Sequence, residues 1–193
     1  MSRTAIVVAL AAASAAAVAL CAAEPPPPPQ PTPQDLVGKV PPEITAKYWI
    51  NSDPLKREAL RGKVVLVDFW GTWCIPCREA IPHLVALHKK YAAQGLVIIG
   101  STLEAKEKVE PFVKQMGINY AIGGGSDVFT KYNVSAIPVV FIVGKDGKVV
   151  MAADAETKFD KIESVVAAEL KKSPPSDKAG DKSGDKSGEK GKQ

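Results

Sequence analysis

The fold of this protein is decided by the stretch VVLVDFWGTWCIPC, which occupies residues 64–77. The stretch begins with a run of mostly apolar and β-branched residues, which is typical of a strand buried on both faces. The run stops at Gly71, and Cys74 and Cys77 follow where an amphipathic segment begins. Two cysteines separated by two residues at such a strand-to-helix junction indicate dithiol redox chemistry.

The position of Cys74 favours it as the nucleophile. The N-terminus of a helix leaves backbone N–H groups unpaired and carries about half a positive charge, and both features favour a thiolate. Pro76 suits the first helical turn, where its missing N–H has no cost. We therefore expect Cys74, the more exposed cysteine, to attack a partner's disulfide, and Cys77 then to attack Cys74 and release the reduced partner.

Two structural interpretations of the cysteine pair compete with catalysis. A structural disulfide would close a loop too short to stabilise the fold much. A zinc site would need two further ligands, and the chain has only two histidines, His83 and His88. Five residues apart on one helix, they would lie about 140° apart around its axis, so they would not converge on a metal. The sequence therefore predicts no metal site, and nothing in it indicates a bound cofactor.

The segment VDFWGTWCIPC, residues 67–77, resembles the active-site segment of the thioredoxin superfamily. The surrounding chain, roughly Leu36 to Leu170, is most similar to the exported, membrane-tethered bacterial branch, the TlpA/ResA-like thiol–disulfide oxidoreductases. The resemblance implies an α/β thioredoxin fold, with a mixed central sheet flanked by helices and an N-terminal extension.

Hydrophobic periodicity along the chain agrees with that architecture. Before the central strand, residues 44–50 predict an edge strand or hairpin, and residues 54–60 a helical turn. After it, we predict helices at 75–94, 106–116 and 159–170, strands at 96–100, 139–143 and 149–153, a flexible glycine loop at 123–125, and a helical turn at 127–132.

Three further positions become candidate site residues. Asp68 lies on the buried strand, where a carboxylate needs a raised pKa or a partner. The resemblance implies that Asp68 moves the proton of the second cysteine, although it could simply find a partner and pack. The resemblance also implies a cis Ile137–Pro138 bond packed against the dithiol, with backbone groups of Ile137 offered to a bound peptide. Trp73 would shield one side of the thiol, or only pack.

The chain departs from the branch at one position. TlpA/ResA-like proteins often carry a glutamate two residues before the helix proline, where it helps to set the pKa of the cysteines. Here Ala80 holds that position and Glu79 precedes it. Because one residue turns a side chain by about 100° around a helix, we do not transfer the role to Glu79.

Both ends of the chain differ from a globular domain. Residues 1–23 resemble an export signal. The segment has three alternative fates: cleavage by signal peptidase, lipidation at Cys21, or retention as an uncleaved membrane anchor. Residues 24–35 form a proline-rich linker, which is expected to be extended. Residues 171–193 are Lys-, Asp-, Gly- and Ser-rich and are predicted to be disordered, which leaves one domain at 36–170.

Charge argues against a nucleic-acid partner. The whole chain has a formal net charge of +4, and residues 171–193 contribute +3 through seven lysines and four acidic residues. The folded domain is therefore close to neutral, whereas phosphate binding needs a clustered basic surface.

We interpret the chain as an exported, periplasmic or cell-envelope thiol–disulfide oxidoreductase. The resemblance implies that the protein reduces disulfides of envelope proteins and that a membrane electron donor re-reduces it. Cytochrome c maturation is a candidate role. Ile75 and Pro76 lack the histidine that strongly oxidising relatives place between their cysteines. The alternatives are a dithiol oxidase or isomerase, and a redox-inactive binding module on the same fold.

Overall fold

The computed structural model describes residues 29–174. The predicted export signal, the first part of the proline-rich linker and the predicted tail beyond residue 174 lie outside the described residues. Within residues 29–174, no helix is both long and apolar enough to cross a membrane.

One mixed sheet organises the described chain. It has six strands in the order β1-β4-β3-β2-β5-β6. β2 is parallel to β3 and β3 to β4, whereas the other neighbouring pairs are antiparallel. The strands are β1 Tyr48–Ile50, β2 Val64–Phe69, β3 Leu96–Thr102, β4 Ala121–Gly124, β5 Val139–Val143 and β6 Val149–Asp154.

Within the described residues, four α-helices and three 3-10 segments accompany the sheet. The predicted helix at 75–94 is an α-helix to Tyr91 that continues as a 3-10 turn, and it ends at Gly95, whose φ of 100° is left-handed. The α-helices are α1 Ile75–Tyr91, α2 Lys106–Met116, α3 Val128–Lys131 and α4 Phe159–Lys171, and the 3-10 segments are Pro33–Leu36, Arg57–Leu60 and Ala92–Gln94.

The sheet separates two hydrophobic cores because side chains of β2 alternate between its faces. Val64 and Leu66 belong to one core, and Val65, Val67 and Phe69 to the other. Helices α1, α2 and α4 cover the first face, whereas α3 and the N-terminal extension cover the second. All six β2 residues are buried, which confirms the predicted central strand, and the mixed sheet covered by helices is the architecture that the resemblance implied.

The prediction of a flexible loop at 123–125 is wrong for its first two residues. Gly123 and Gly124 belong to β4, which pairs with β3 on one side and β1 on the other. A Cβ atom at Gly124 would lie 2.2 Å from the hydroxyl of Tyr48, and one at Gly123 would lie 3.1 Å from Cβ of Ala46. These glycines leave room for the side chains of the N-terminal extension, so they mark close packing rather than flexibility.

We expect Gly124→Ala to lower the free energy of unfolding by about 1–3 kcal/mol, because the new methyl group displaces the Tyr48 ring. Displacement would also break the hydrogen bond that the Tyr48 hydroxyl donates to the carbonyl oxygen of Glu104 at 2.7 Å. Urea denaturation measures the loss, and Gly123→Ala, which makes a less severe contact, is the matched control. Equal losses in the two variants would contradict this explanation.

Candidate active site

The cysteine pair lies where β2 passes into α1. After β2 ends, the N–H of Cys74 donates to the carbonyl oxygen of Gly71 at 3.1 Å, which closes a four-residue turn. Helix α1 begins at Ile75. Cys74 and Cys77 are joined by a disulfide bond, with an S–S distance of 2.04 Å and a Cα–Cα distance of 5.2 Å. The chain is therefore described in its oxidised form.

Cys74 occupies the N-cap position of α1. Its Sγ accepts a hydrogen bond from the N–H of Cys77 at 3.3 Å, so the sulfur faces the unpaired end of the helix. The same environment would favour a thiolate after reduction, because both the N–H donor and the helix dipole stabilise negative charge. The exposed fractions are 4% for Cys74 and 1% for Cys77, which agrees with the expected order although both residues are buried.

The Ile137–Pro138 peptide bond is cis, as the resemblance implied. It precedes β5, whose first residue, Val139, pairs with the last residue of β2, Phe69. The side chain of Ile137 reaches the active-site turn, because its Cδ1 lies 3.4 Å from the position of a Cβ at Gly71. The cis peptide and the turn that leads to Cys74 therefore lie at the same edge of the sheet.

Large exposed apolar side chains flank the disulfide. Trp73 is 67% exposed and Ile75 is 68% exposed. The indole Nε1 of Trp73 lies 3.0 Å from where a Cβ of Gly71 would be, so the ring folds back over the turn and needs a glycine there. Trp70, by contrast, is buried in the core. Exposed apolar surface beside a reactive group is suited to contact with another polypeptide.

Asp68 is buried, with 2% of its surface exposed. It belongs to β2, and strand alternation places it on the same face as Leu66 and Trp70, whose hydrophobic core also contains both cysteines. Burial raises the pKa of Asp68 to about 7. A carboxyl group with such a pKa can hold or release a proton near neutral pH, which proton transfer at this site would require.

Glu104 is a site residue that sequence reasoning missed. It follows β3 and accepts two hydrogen bonds from Thr72, one from the backbone N–H to Oε2 at 2.6 Å and one from Oγ1 to Oε1 at 2.9 Å. Lys108 forms an ion pair with the same carboxylate. The predicted parallel pairing of β2 with β3 could have pointed to Glu104, because residues that follow the carboxyl ends of neighbouring parallel strands meet at one edge of the sheet.

Glu104 and Glu79 differ in their relation to the site. Burial acts to raise the pKa of Glu104, but the contacts with Lys108 and Thr72 outweigh it and hold that pKa below its usual value. Glu79 is exposed on α1, whereas Ala80 is buried. Glu79 therefore lies on a different side of α1 from the buried position that Ala80 occupies.

The two histidines lie in separate environments. His83 stacks on Phe159 with a ring-centroid distance of 4.5 Å, whereas His88 packs edge-on against Tyr120 at 6.2 Å. Within residues 29–174, no three histidine, cysteine, aspartate or glutamate side chains are grouped so that they could hold a metal ion.

Comparison with known proteins identifies relatives of this site and fold. Residues 37–152 match the AhpC/TSA family. Thiol-disulfide oxidoreductase ResA of Bacillus cereus is 33% identical over 130 residues, which cover 66% of this chain and 75% of the relative. ResA of Bacillus subtilis is 35% identical over 103 residues, which cover 52% of this chain and 58% of the relative.

Solved structures show the same likeness. A thiol:disulfide interchange protein of the thioredoxin family from Chlorobium tepidum superimposes with a TM-score of 0.61 at 25% identity. The superposition covers 67% of this chain and 94% of that protein. The fold and the thiol–disulfide chemistry expected from the sequence are therefore both confirmed.

The raised pKa of Asp68 predicts a particular pH dependence of stability. Between pH 4 and 7 the native carboxyl keeps its proton while the unfolded one has lost it, so the free energy of unfolding falls as the pH rises. At higher pH the accumulated loss is up to about 4 kcal/mol. Asp68→Asn should remove this loss and be more stable than the wild type at pH 8, but not at pH 4.

Urea denaturation of the oxidised protein from pH 4 to pH 8 tests this prediction. Asp53→Asn, at an exposed position, controls for the general effect of replacing an aspartate. Parallel stability profiles for the wild type and Asp68→Asn would contradict the raised pKa.

Proposed function

We propose a location and a substrate class for this chain, which belongs to the AhpC/TSA family and is a thiol–disulfide oxidoreductase of the thioredoxin fold. The protein is exported, and it reduces disulfide bonds of other proteins in the cell envelope. The observation that carries the proposed chemistry is the position of Cys74 Sγ. It lies at the N-terminus of α1 and accepts the N–H of Cys77 at 3.3 Å. That position suits a thiolate nucleophile with its resolving thiol one helical turn away.

The reaction proceeds from the reduced dithiol. The Cys74 thiolate attacks one sulfur of the client disulfide, which forms a mixed disulfide and releases the other client sulfur as a thiolate. Asp68 helps to remove the proton of the Cys77 thiol, and the Cys77 thiolate then attacks Cys74 Sγ. The second client sulfur leaves, so the client gains two electrons and the protein's own pair becomes a disulfide.

Client binding uses the surface beside the pair. The backbone groups of Ile137, next to Pro138, pair with an extended client segment. Trp73 and Ile75 supply apolar contact, and their exposure supports this role because such side chains are otherwise costly to leave in water. The client is thus a flexible or partly unfolded polypeptide whose disulfide can reach the buried Cys74.

Direction and location rest on the sequence. Ile75 and Pro76 separate the cysteines without the histidine that stabilises the thiolate of strongly oxidising relatives, which favours a reductant. Residues 1–23 act as the export signal or, through Cys21, as a lipid anchor, and the proline-rich linker at 24–35 spaces the domain from the membrane. A membrane electron donor restores the dithiol, and apocytochrome c is a candidate client.

The midpoint reduction potential of the Cys74–Cys77 couple tests the proposed direction. We expect a value near that of thioredoxin, roughly −270 mV, because no histidine lies between the cysteines to stabilise the reduced form. Titration in defined thiol buffers, followed by the fluorescence of the nearby tryptophans, measures it. A value toward about −120 mV would instead support a dithiol oxidase.

Trapping experiments test the order of attack. Cys77→Ser should accumulate a mixed disulfide with an oxidised client such as insulin, because the resolving thiol is absent. Cys74→Ser should accumulate far less adduct at the other active-site cysteine, since Cys77 is only 1% exposed. Both variants also carry Cys21→Ser, so that the third cysteine of the chain forms no adduct. Non-reducing electrophoresis shows the adduct, and equal trapping by both variants would contradict Cys74 as the nucleophile.

A further inference from the structure

Glu104 connects two segments that are distant in sequence. It follows β3 and reaches Thr72, the second residue of the turn from Gly71 to Cys74. Its two oxygens accept from both the backbone N–H and the hydroxyl of Thr72, at 2.6 Å and 2.9 Å. Such a two-point contact fixes the orientation of the turn as well as its distance from β3.

Glu104 is itself held from several sides. Its carboxylate is paired with Lys108, its backbone carbonyl oxygen accepts the Tyr48 hydroxyl at 2.7 Å, and its N–H donates to Thr102 Oγ1 at 3.3 Å. Only 12% of its side chain is exposed. An anchor held in this way by β1, β3 and α2 differs from a surface ion pair, whose side chains are free to move.

We propose that Glu104 is a positioning residue for the thiol–disulfide reaction, and that it holds Thr72 so that the turn keeps Cys74 Sγ at the N-terminus of α1. The turn is short, and only the bond from the Cys74 N–H to Gly71 closes it internally. Without Glu104 the Thr72 N–H loses its acceptor, and the turn can open. Cys74 then moves out of reach of the Cys77 N–H that faces its sulfur.

Glu104 could also act on Cys74 through its charge, and the two effects have opposite signs. Loss of the anchor removes stabilisation of the thiolate and raises the pKa of Cys74, whereas loss of a nearby negative charge lowers it. The other charged groups near the turn are Lys108, Asp68 on β2, and Arg78. The guanidinium carbon Cζ of Arg78 lies 5.7 Å from the ring centroid of Phe112. The sign of the change therefore separates positioning from simple electrostatics.

The test measures how fast iodoacetamide alkylates Cys74 as a function of pH in the full-length protein. A Cys77→Ser background leaves Cys74 as the reactive cysteine of the peptide that spans residues 64–78, on which the modification is followed by mass spectrometry. The inference rests on the proposed nucleophile at Cys74, but the assay needs neither a client nor an electron donor. It is thus independent of the proposed direction of electron flow.

We expect Glu104→Ala to raise the pKa of Cys74 and to slow its alkylation at pH 7 about five- to tenfold, the size expected for losing favourable contacts at a helix N-terminus. Thr72→Ala keeps the backbone bond to Glu104 and loses the hydroxyl bond, so the shift should have the same sign and be smaller. Glu110→Ala is the matched control. Glu110 also forms an ion pair with a lysine one helical turn further on, Lys114, at 3.1 Å. The Glu110→Ala variant should leave the pH profile of Cys74 alkylation unchanged.

Each other outcome counts against the proposal. A lowered pKa in Glu104→Ala would mean that the carboxylate acts only through its charge. An unchanged pKa, with or without reduced stability in urea, would make Glu104 a structural residue. If Glu104→Ala does not fold, the sign of the Thr72→Ala shift decides. An ordinary thiol pKa for Cys74 before any change at Glu104 would contradict the proposed nucleophile, and this inference with it.

Discussion

The pairing of β2 with β3 on one side and β5 on the other is the constraint on which the rest of the structure depends. All six residues of β2 are buried, so a slip by one residue would move every side chain into the core on the opposite face and disrupt the packing of both cores. Its last residue, Phe69, is aligned with Ser101 of β3 and Val139 of β5. The segments that follow β2 and β3 and the segment that precedes β5 must therefore meet at one edge of the sheet.

That edge collects the groups that the chemistry needs. The turn to Cys74 continues β2, Glu104 follows β3, and the cis Ile137–Pro138 peptide precedes β5. A displacement of one strand by two residues would carry its segment about 6–7 Å away from the other two, because each residue advances a strand by about 3.3 Å. The catalytic geometry is thus a consequence of strand register, and α1 adds the helix N-terminus that faces the sulfur.

Two carboxyl groups near this edge show how the surroundings set proton affinity. Asp68 is affected by burial alone, which raises its pKa to about 7. Glu104 is also partly buried, but Lys108 and Thr72 stabilise its charged form and lower its pKa. One group can therefore exchange a proton near neutral pH while the other remains a fixed charge, and the difference arises from their contacts rather than from their residue type.

The sequence by itself determined the local features of this protein. Periodicity and capping within short windows predict the buried strand β2, the start of α1 at Ile75, the helix at 106–116 and the strand at 139–143. The thioredoxin fold and the cis bond before Pro138 came from the resemblance of the active-site segment. The local features could be predicted because their physical causes lie within a few residues of one another.

Only the tertiary structure decided the features whose causes lie far apart in the chain. Gly123 and Gly124 alone predict a loop, because glycine has no side chain to favour a strand. In the structure they belong to a strand, because Tyr48 and its neighbours in the N-terminal extension fill the space above them. Glu104 has no visible role until β3 lies parallel to β2 and brings its carboxylate to Thr72. Hydrogen bonding and packing of this kind depend on distance in space, which periodicity along a sequence does not record.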